Sequence, residues 1–357
     1  MSTTNDRGLS FEPLAEILRR CGLAGRREHS FPNDGWSGAE LTQLRRGSER
    51  YVLKRDSLDR DWIARATADG PILREAWFAA YGPALPPPVR APYLGAGRDD
   101  DAFALLMPDL TGVLFDWANP ISGPELERLL GGLAELHAYP WVTSGDVDGG
   151  PWCPLRERIT LICRANLERP GPARDAVASR LLPGWDAFDR LAPVGARDLI
   201  DGLGRDPQPL LDALGQQPAT LIHGDLKLAN IGIEPDGSIV VVDWQMVTMA
   251  PVAVELGWFL VANVASLPLP PDAIFERYAA KLQYASSDAE DGSRWVGGPG
   301  SFDRDHEDAA ILVGLLLRGW RKGADTEAGV VHASGVSAAE DLAWWCDRAV
   351  EAADRIL

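Results

Sequence analysis

His223-Gly224-Asp225-Leu226-Lys227-Leu228-Ala229-Asn230 runs into Ile231-Gly232-Ile233, a Glu234-Pro235-Asp236-Gly237 turn, the apolar run 238–242 and then Asp243-Trp244-Gln245. Pro-Asp-Gly is a strong turn signal, and Ile231, Ile233, Ile239, Val240, Val241 and Val242 are β-branched. Two strands joined there return the chain antiparallel, which should carry Asp243 back beside Asn230. An aspartate, an asparagine five positions later and a second aspartate across a short hairpin form the polar set needed to move a phosphoryl group from Mg-ATP. One carboxylate orients the attacking hydroxyl, while an amide oxygen and another carboxylate hold the magnesium.

This ordered set resembles the catalytic and metal-binding segments of the aminoglycoside phosphotransferase and choline kinase family, which shares the protein-kinase-like fold. The resemblance implies that Asp225 is the catalytic base, that Asn230 and Asp243 bind Mg2+, and that His223 braces the loop. Lys227, two residues past the base, falls where protein kinases keep a lysine near the transferred phosphate. A cation there offsets charge developing on the phosphoryl oxygens. The plainer alternative is an ordinary His-Gly-Asp turn and an aspartate that ends a strand. It would serve for one aspartate but not for the whole ordered set with its hairpin.

At 357 residues the chain is long enough for two lobes with a substantial core. Its net charge of -17 argues against nucleic acid or an anionic membrane surface as partner, since phosphate binding needs a basic face. The acidity permits a cationic small-molecule acceptor without establishing one, because it also serves solubility. Cys21, Cys153, Cys163 and Cys346 are scattered, without a CxxC pair, and read as reduced thiols. The polar start of the chain and the absence of a spanning apolar run fit a cytoplasmic protein with ATP to hand.

In the first hundred residues, 10–21 has helical spacing of Leu14, Ile17, Leu18 and Cys21. The segment 29–54 reads as two or three antiparallel strands with a small-residue loop between the first two. Gly35, Ser37 and Gly38 in that loop permit backbone N–H groups to approach nucleotide phosphates, although the pattern falls short of GxGxxG. Lys54 ends the strand Tyr51-Val52-Leu53-Lys54, and an inward lysine requires a partner. Glu75, in the predicted helix 71–78, is the candidate. The family resemblance implies that Lys54 pairs the nucleotide phosphates and that Glu75 orients it; the alternative is two solvated surface charges.

Pro83 to Pro92 cannot continue a helix, and two short strands follow near 93–94 and 102–107, with Gly95-Ala96-Gly97 and the acidic run at Asp99 between them. The stretch Met107-Pro108-Asp109-Leu110 resembles the family's hinge, where backbone groups of Met107, Asp109 and Leu110 would read adenine. Met107 could equally be core.

Beyond it, 123–139 reads as a buried helix with His137 as a core residue, and 155–167 as a helix. A helix over 176–182 is expected to break at Pro183-Gly184 before 185–191. Helices are further expected over 274–282, 309–320 and, after a Ser337/Glu340 capping box, to the C-terminus. Glu255 occupies the place where the family usually has an aspartate that anchors the catalytic loop. The acids Asp288, Glu290, Asp291, Asp303, Asp305 and Glu307 could meet ammonium groups of an acceptor, or be solvated loop residues.

The expected architecture is therefore α+β and bilobal, protein-kinase-like, with an antiparallel-sheet lobe over 1–108 and a mainly helical lobe over 109–357. The implied activity is transfer of the γ-phosphoryl of ATP, with Mg2+, to a hydroxyl of a small molecule. The competing expectation is a nucleotide-binding module without catalysis.

Overall fold

Strand parity organises the N-terminal part. In the computed structural model, which describes residues 9–32, 35–67, 70, 72–116, 119–141, 149–287 and 302–357, seven strands precede residue 109: β1 (Glu12–Pro13), β2 (His29–Ser30), β3 (Glu40–Arg46), β4 (Glu49–Asp56), β5 (Val89–Arg90), β6 (Gly95–Asp99) and β7 (Ala102–Pro108). Six of them form a sheet in the order β1-β6-β7-β4-β3-β2, antiparallel apart from the β1–β6 pair.

The central strands are apolar on both faces because both faces are covered. Tyr51, Leu53, Ala104 and Leu106 pack under Leu14 and Ile17 of helix α1 (Leu14–Arg20). Val52, Phe103, Leu105 and Met107 face Leu73 and Ala76, which belong to helix α3 (Arg74–Tyr81) and its N-cap. Side chains alternate along a strand, so Lys54 takes the same face as Val52 and looks toward α3.

Two expectations for this part need correction. The glycines 95 and 97 do not separate strands; they lie inside β6, where a Cβ at Gly97 would strike the Glu12 carbonyl and Ile17. Small residues there admit β1 and α1, and the turn falls instead at Asp100, with φ 51. Helix α3 starts at Arg74 rather than 71, and a short helix α2 (Trp62–Ala66) that the periodicity did not announce is capped by Asp61, whose carboxylate accepts the Ile63 and Ala64 N–H groups.

The C-terminal part is helical: α4 (Gly123–Ala138), α5 (Leu155–Thr160), α6 (Arg164–Glu168), α7 (Pro172–Leu191), α8 (Val194–Arg205), α9 (Gln208–Leu214), α10 (Val252–Asn263), α11 (Pro271–Ser287), α12 (Arg304–Glu327) and α13 (Ala338–Ile356). Short strands interrupt them: β8 (Ala219–Ile222), the hairpin β9 (Ile231–Ile233) and β10 (Ile239–Val241), and β11 (Thr248–Pro251), which pairs with β8. Unforeseen from the sequence, β5 adds to the hairpin in parallel with β10.

The expected helix over 155–167 is two helices, divided where Cys163 adopts an extended N-cap conformation. The expected break at Pro183-Gly184 does not occur. Helix α7 runs through Pro183, and Gly184 lies so close to the Trp320 carbonyl of α12 that no side chain would fit. Packing against α12 offsets what the proline costs the helix locally.

His137 is fully buried in α4 and hydrogen-bonds Tyr278 Oη through Nδ1 at 2.7 Å, and burial alone lowers its pKa to about 3. It is a core histidine, as its apolar stripe leads one to expect. The fold is α+β with a sheet-bearing N-terminal part and a helical C-terminal part. No described helix is long and apolar enough to cross a membrane.

Candidate active site

Strand β8 delivers the chain to His223, and contacts from α10 and from the end of the β9–β10 hairpin fix the loop that follows. From α10, Glu255 accepts the backbone N–H groups of His223 and Gly224 at 2.6 and 3.1 Å. Burial pushes its pKa up to about 7 against the opposing effect of those hydrogen bonds and of Arg158. His223 Nε2 donates to the Val242 carbonyl at 2.9 Å, and its Nδ1 accepts the Asp225 N–H at 3.1 Å. That pair of partners requires the neutral Nε2–H tautomer, and burial lowers the pKa to about 4. Gly224 has φ +82, and a Cβ there would collide with the Met246 carbonyl.

Asn263, at the end of α10, closes the far side. Its Oδ1 accepts Leu228 N–H at 2.8 Å and its Nδ2 donates to the Leu226 carbonyl at 3.2 Å. Asp225 emerges from this bracing with its carboxylate against Lys227, whose Nζ is 3.0 Å from Oδ2.

The hairpin brings the second half of the site beside the first. Val242 N–H donates to the Asn230 carbonyl at 2.9 Å, so Asp243 is the next residue out. Asn230 Nδ2 donates to the Asp225 carbonyl at 3.0 Å. Its Oδ1 accepts no hydrogen bond among the described residues. Asp243 takes a left-handed backbone conformation, φ 68 and ψ 52, which aims its side chain across the crevice. Its Oδ1 accepts from Lys54 Nζ at 2.7 Å. Burial would raise the Asp243 pKa, but Lys54 and Lys227 together bring it down to about 2, so it is ionised at neutral pH.

On the sheet side Lys54 Nζ also reaches Glu75 Oε2 at 2.5 Å, and Tyr93 donates to Glu75 Oε1 at 2.7 Å. Burial disfavours the Lys54 charge, yet the Asp243 and Glu75 carboxylates raise its pKa well above the ordinary value. Helix α3 is bound to the Asp243 segment at two further points. Phe78 stacks on Trp244 with centroids 4.2 Å apart, and an Arg74 terminal nitrogen donates to the Gln245 carbonyl at 2.6 Å. Glu75 is therefore placed by the same segment whose aspartate shares its lysine.

The remaining sequence candidates lie around this centre less tightly. Gly35, Ser37 and Gly38 precede β3, whose Leu41 is the register partner of Lys54. The Trp36 carbonyl accepts Trp62 Nε1–H at 2.8 Å, which fastens the loop to α2. Met107 packs in the core beside Val52. Asp109 is committed locally: its carboxylate accepts from Gln43 and from Thr111 N–H, it pairs with Arg50, and its own N–H donates to the Arg50 carbonyl. The Leu110 carbonyl accepts Val113 N–H at 2.9 Å.

Asp288, Glu290 and Asp291 lie outside the described residues. Asp303 caps α12 and pairs with His306, while Glu307 pairs with Arg304 and Arg348. Arg74, Tyr93 and Asn263, which brace the site, carry no sequence signal beyond their residue type.

The Asp243 carboxylate and the Asn230 amide oxygen are hard oxygen donors of the kind that suit Mg2+ shared with phosphate oxygens, and the Lys54 ammonium held by Asp243 suits an anionic phosphate chain.

The model of a family described as the phosphotransferase enzyme family matches residues 28–290. No curated protein matches the sequence. Among solved structures the chain is similar to an amicoumacin kinase in complex with AMP-PNP and Ca2+, at 11% identity over 94% of this chain and 92% of that one, TM-score 0.47. It is similar to a choline kinase from Streptococcus pneumoniae at 10% identity over 96% and 97%, TM-score 0.45. A third is a spectinomycin phosphotransferase in complex with ADP and spectinomycin, at 15% identity over 96% and 97%, TM-score 0.44.

Proposed function

The chain belongs to the phosphotransferase enzyme family, and on that premise we propose that it transfers the γ-phosphoryl group of ATP to a hydroxyl of a small molecule, using residues 1–108 for the nucleotide and 109–357 for catalysis and the acceptor. The observation that carries the reading is the convergence of Lys54, Glu75, Asp225, Asn230 and Asp243 on one crevice from four separate segments.

In this reading Asp225 orients the acceptor hydroxyl and takes its proton as the oxygen bonds to phosphorus and the bond to the departing ADP oxygen breaks. Glu255 and His223 hold the backbone leading into that carboxylate, and Asn263 holds the backbone beyond it. Lys54, oriented by Glu75, holds the nucleotide phosphates. Lys227, 3.0 Å from Asp225, faces the charge that builds on the transferred group. Asn230 Oδ1 and Asp243 would hold Mg2+. Bound Mg2+ supplies positive charge that offsets the phosphate oxygens. Gly35, Ser37 and Gly38 would lie over the phosphates and the backbone at Met107 and Leu110 beside the base; Asp109, being committed locally, would serve the hinge's shape.

The test is ADP release from ATP by the purified chain with Mg2+ and a panel of hydroxylated compounds. Acceptor-dependent release supports the reading. Tight nucleotide binding with no turnover on any acceptor favours a binding module instead.

A further inference from the structure

Two buried arginines of the helical part lie near the loop that carries Asp225 with no carboxylate in contact among the described residues. Arg158, on α5, is 2% exposed; its Nε donates to the Gly224 carbonyl, and Nη2 is buried with no hydrogen-bond partner among the described residues. Arg318, on α12, is 8% exposed, makes no hydrogen bond or ion pair among the described residues, and has a buried, unpartnered Nε. It stands where α12 leaves helical geometry, at φ -133 and ψ 21.

Both guanidinium groups lie over the same ring, that of Trp258, at 4.6 and 5.4 Å from its centroid, and Arg318 is 5.0 Å from the Trp320 ring. Trp258 is one turn beyond Glu255 on α10, which puts it on the face that braces the catalytic loop. The indole N–H groups of Trp258 and Trp320 are buried and have no hydrogen-bond partner among the described residues either.

Every unsatisfied group in this cluster is therefore a donor: two guanidinium nitrogens and two indole N–H groups. Leaving such groups buried and unpaired is costly, and two buried guanidinium groups with no carboxylate in contact among the described residues are conspicuous in a protein of net charge -17. Arg158 touches the Gly224 carbonyl next to Asp225, and the Asp225 charge acts on both arginines, so the cluster lies near the proposed base. The complement of a donor-only, doubly cationic site is an acceptor-rich anion, and an ammonium group would be repelled there.

We propose that the acceptor whose hydroxyl meets Asp225 carries an oxyanion, a carboxylate or a phosphate ester, that seats on Arg158 and Arg318 beside Trp258. This rests on the phosphotransfer reading and turns its acceptor from the cationic class that the overall acidity permits to an anionic hydroxy compound.

The test has two arms on the full chain. The first follows thermal melting against sodium sulfate, with sodium chloride at matched ionic strength as the control. Wild type and Lys54→Met should show a saturable rise, and Arg318→Met should weaken the sulfate response by about tenfold or more, as expected when a buried charge partner is removed. Because Arg318→Met deletes an unpaired buried charge, it should melt no lower than wild type without sulfate, and Arg318→Lys should recover part of the response. An unchanged sulfate response in Arg318→Met, or a lower melting temperature with Arg318→Lys restoring stability alone, would overturn the proposal and make the arginine a structural brace. The second arm compares hydroxy compounds matched except for one end group: carboxylate, phosphate ester, amide or amine. A higher kcat/KM for one of the two anions supports the proposal and identifies which; preference for the amine overturns it. A sulfate response with no phosphoryl transfer to any of them would uphold the anion site while counting against the phosphotransfer reading itself.

Discussion

Lys54 Nζ and Asp243 Oδ1 meet at 2.7 Å although 189 positions separate them in the chain. The contact ties the central strand of the sheet to the end of the hairpin, and Glu75 holds the same ammonium from the other side at 2.5 Å. One cation thus serves two carboxylates that would otherwise repel each other in a buried crevice.

Replacing Lys54 with methionine should remove both the nucleotide contact and this neutralisation. Breaking a buried pair by deleting one partner costs about 3–5 kcal/mol. The single variant should therefore melt well below wild type and fail to bind nucleotide. Lys54→Met combined with Glu75→Gln should recover part of the melting temperature and none of the nucleotide binding. Paired thermal melts and calorimetric titrations decide it, and a double variant no more stable than the single one would contradict the shared-cation arrangement.

Glu255 gives a pH dependence of defined sign. Its pKa rises from an ordinary 4.5 to about 7 in the folded chain, so between those values the folded state holds a proton that the unfolded state has lost. Stability attributable to Glu255 is present below pH 4.5 and is lost as pH rises toward 7. Denaturant unfolding of wild type and Glu255→Gln across that window isolates the effect, since the other buried carboxyls are common to both. The stability difference should shift in favour of the glutamine variant as pH rises; a pH-independent difference would contradict it.

Gly224→Ala should be disproportionately damaging for a single methyl. The residue sits at φ +82, where a side chain costs roughly 1–2 kcal/mol, and the new Cβ would meet the Met246 carbonyl. Because Gly224 adjoins Asp225, the proposed base, turnover should fall along with the melting temperature. A variant with wild-type activity would show that the loop's geometry matters less than its contacts suggest.

Much of this arrangement is legible from local rules. The Pro-Asp-Gly hairpin pairs Ile231 with Val241 as its β-branched flanks require, and strand alternation alone turns Lys54 toward the helix that carries Glu75. What escaped was decided by tertiary contacts. Pro183 signals a helix end, yet α7 continues because Gly184 packs on the backbone of α12. Asp109 sits in a hinge-like stretch, but its carboxylate belongs to Gln43, Thr111 and Arg50, two of them on strands elsewhere in the sheet. Arg74, adjacent to Glu75, carries no signal of its own in the sequence, yet it is buried and holds the Gln245 carbonyl. Arginine is so rarely buried without a carboxylate that no pattern in the sequence would single out Arg158 or Arg318.

Asp243→Ala should abolish the Mg2+ dependence of nucleotide binding, since it removes the carboxylate that, at a pKa of about 2, is ionised throughout the working range. Calorimetric titration of nucleotide with and without Mg2+ checks it. A variant whose affinity still rises with Mg2+ would take Asp243 out of the metal site.

The most direct measurement is acceptor-dependent ADP formation by Asp225→Ala, taken together with its nucleotide affinity. Turnover should fall by a factor on the order of a hundred or more, as loss of a general base does, while ATP binds nearly as in wild type. Turnover that survives the substitution would contradict the assignment of Asp225 as the group that takes the proton, and with it the proposed reaction at this crevice.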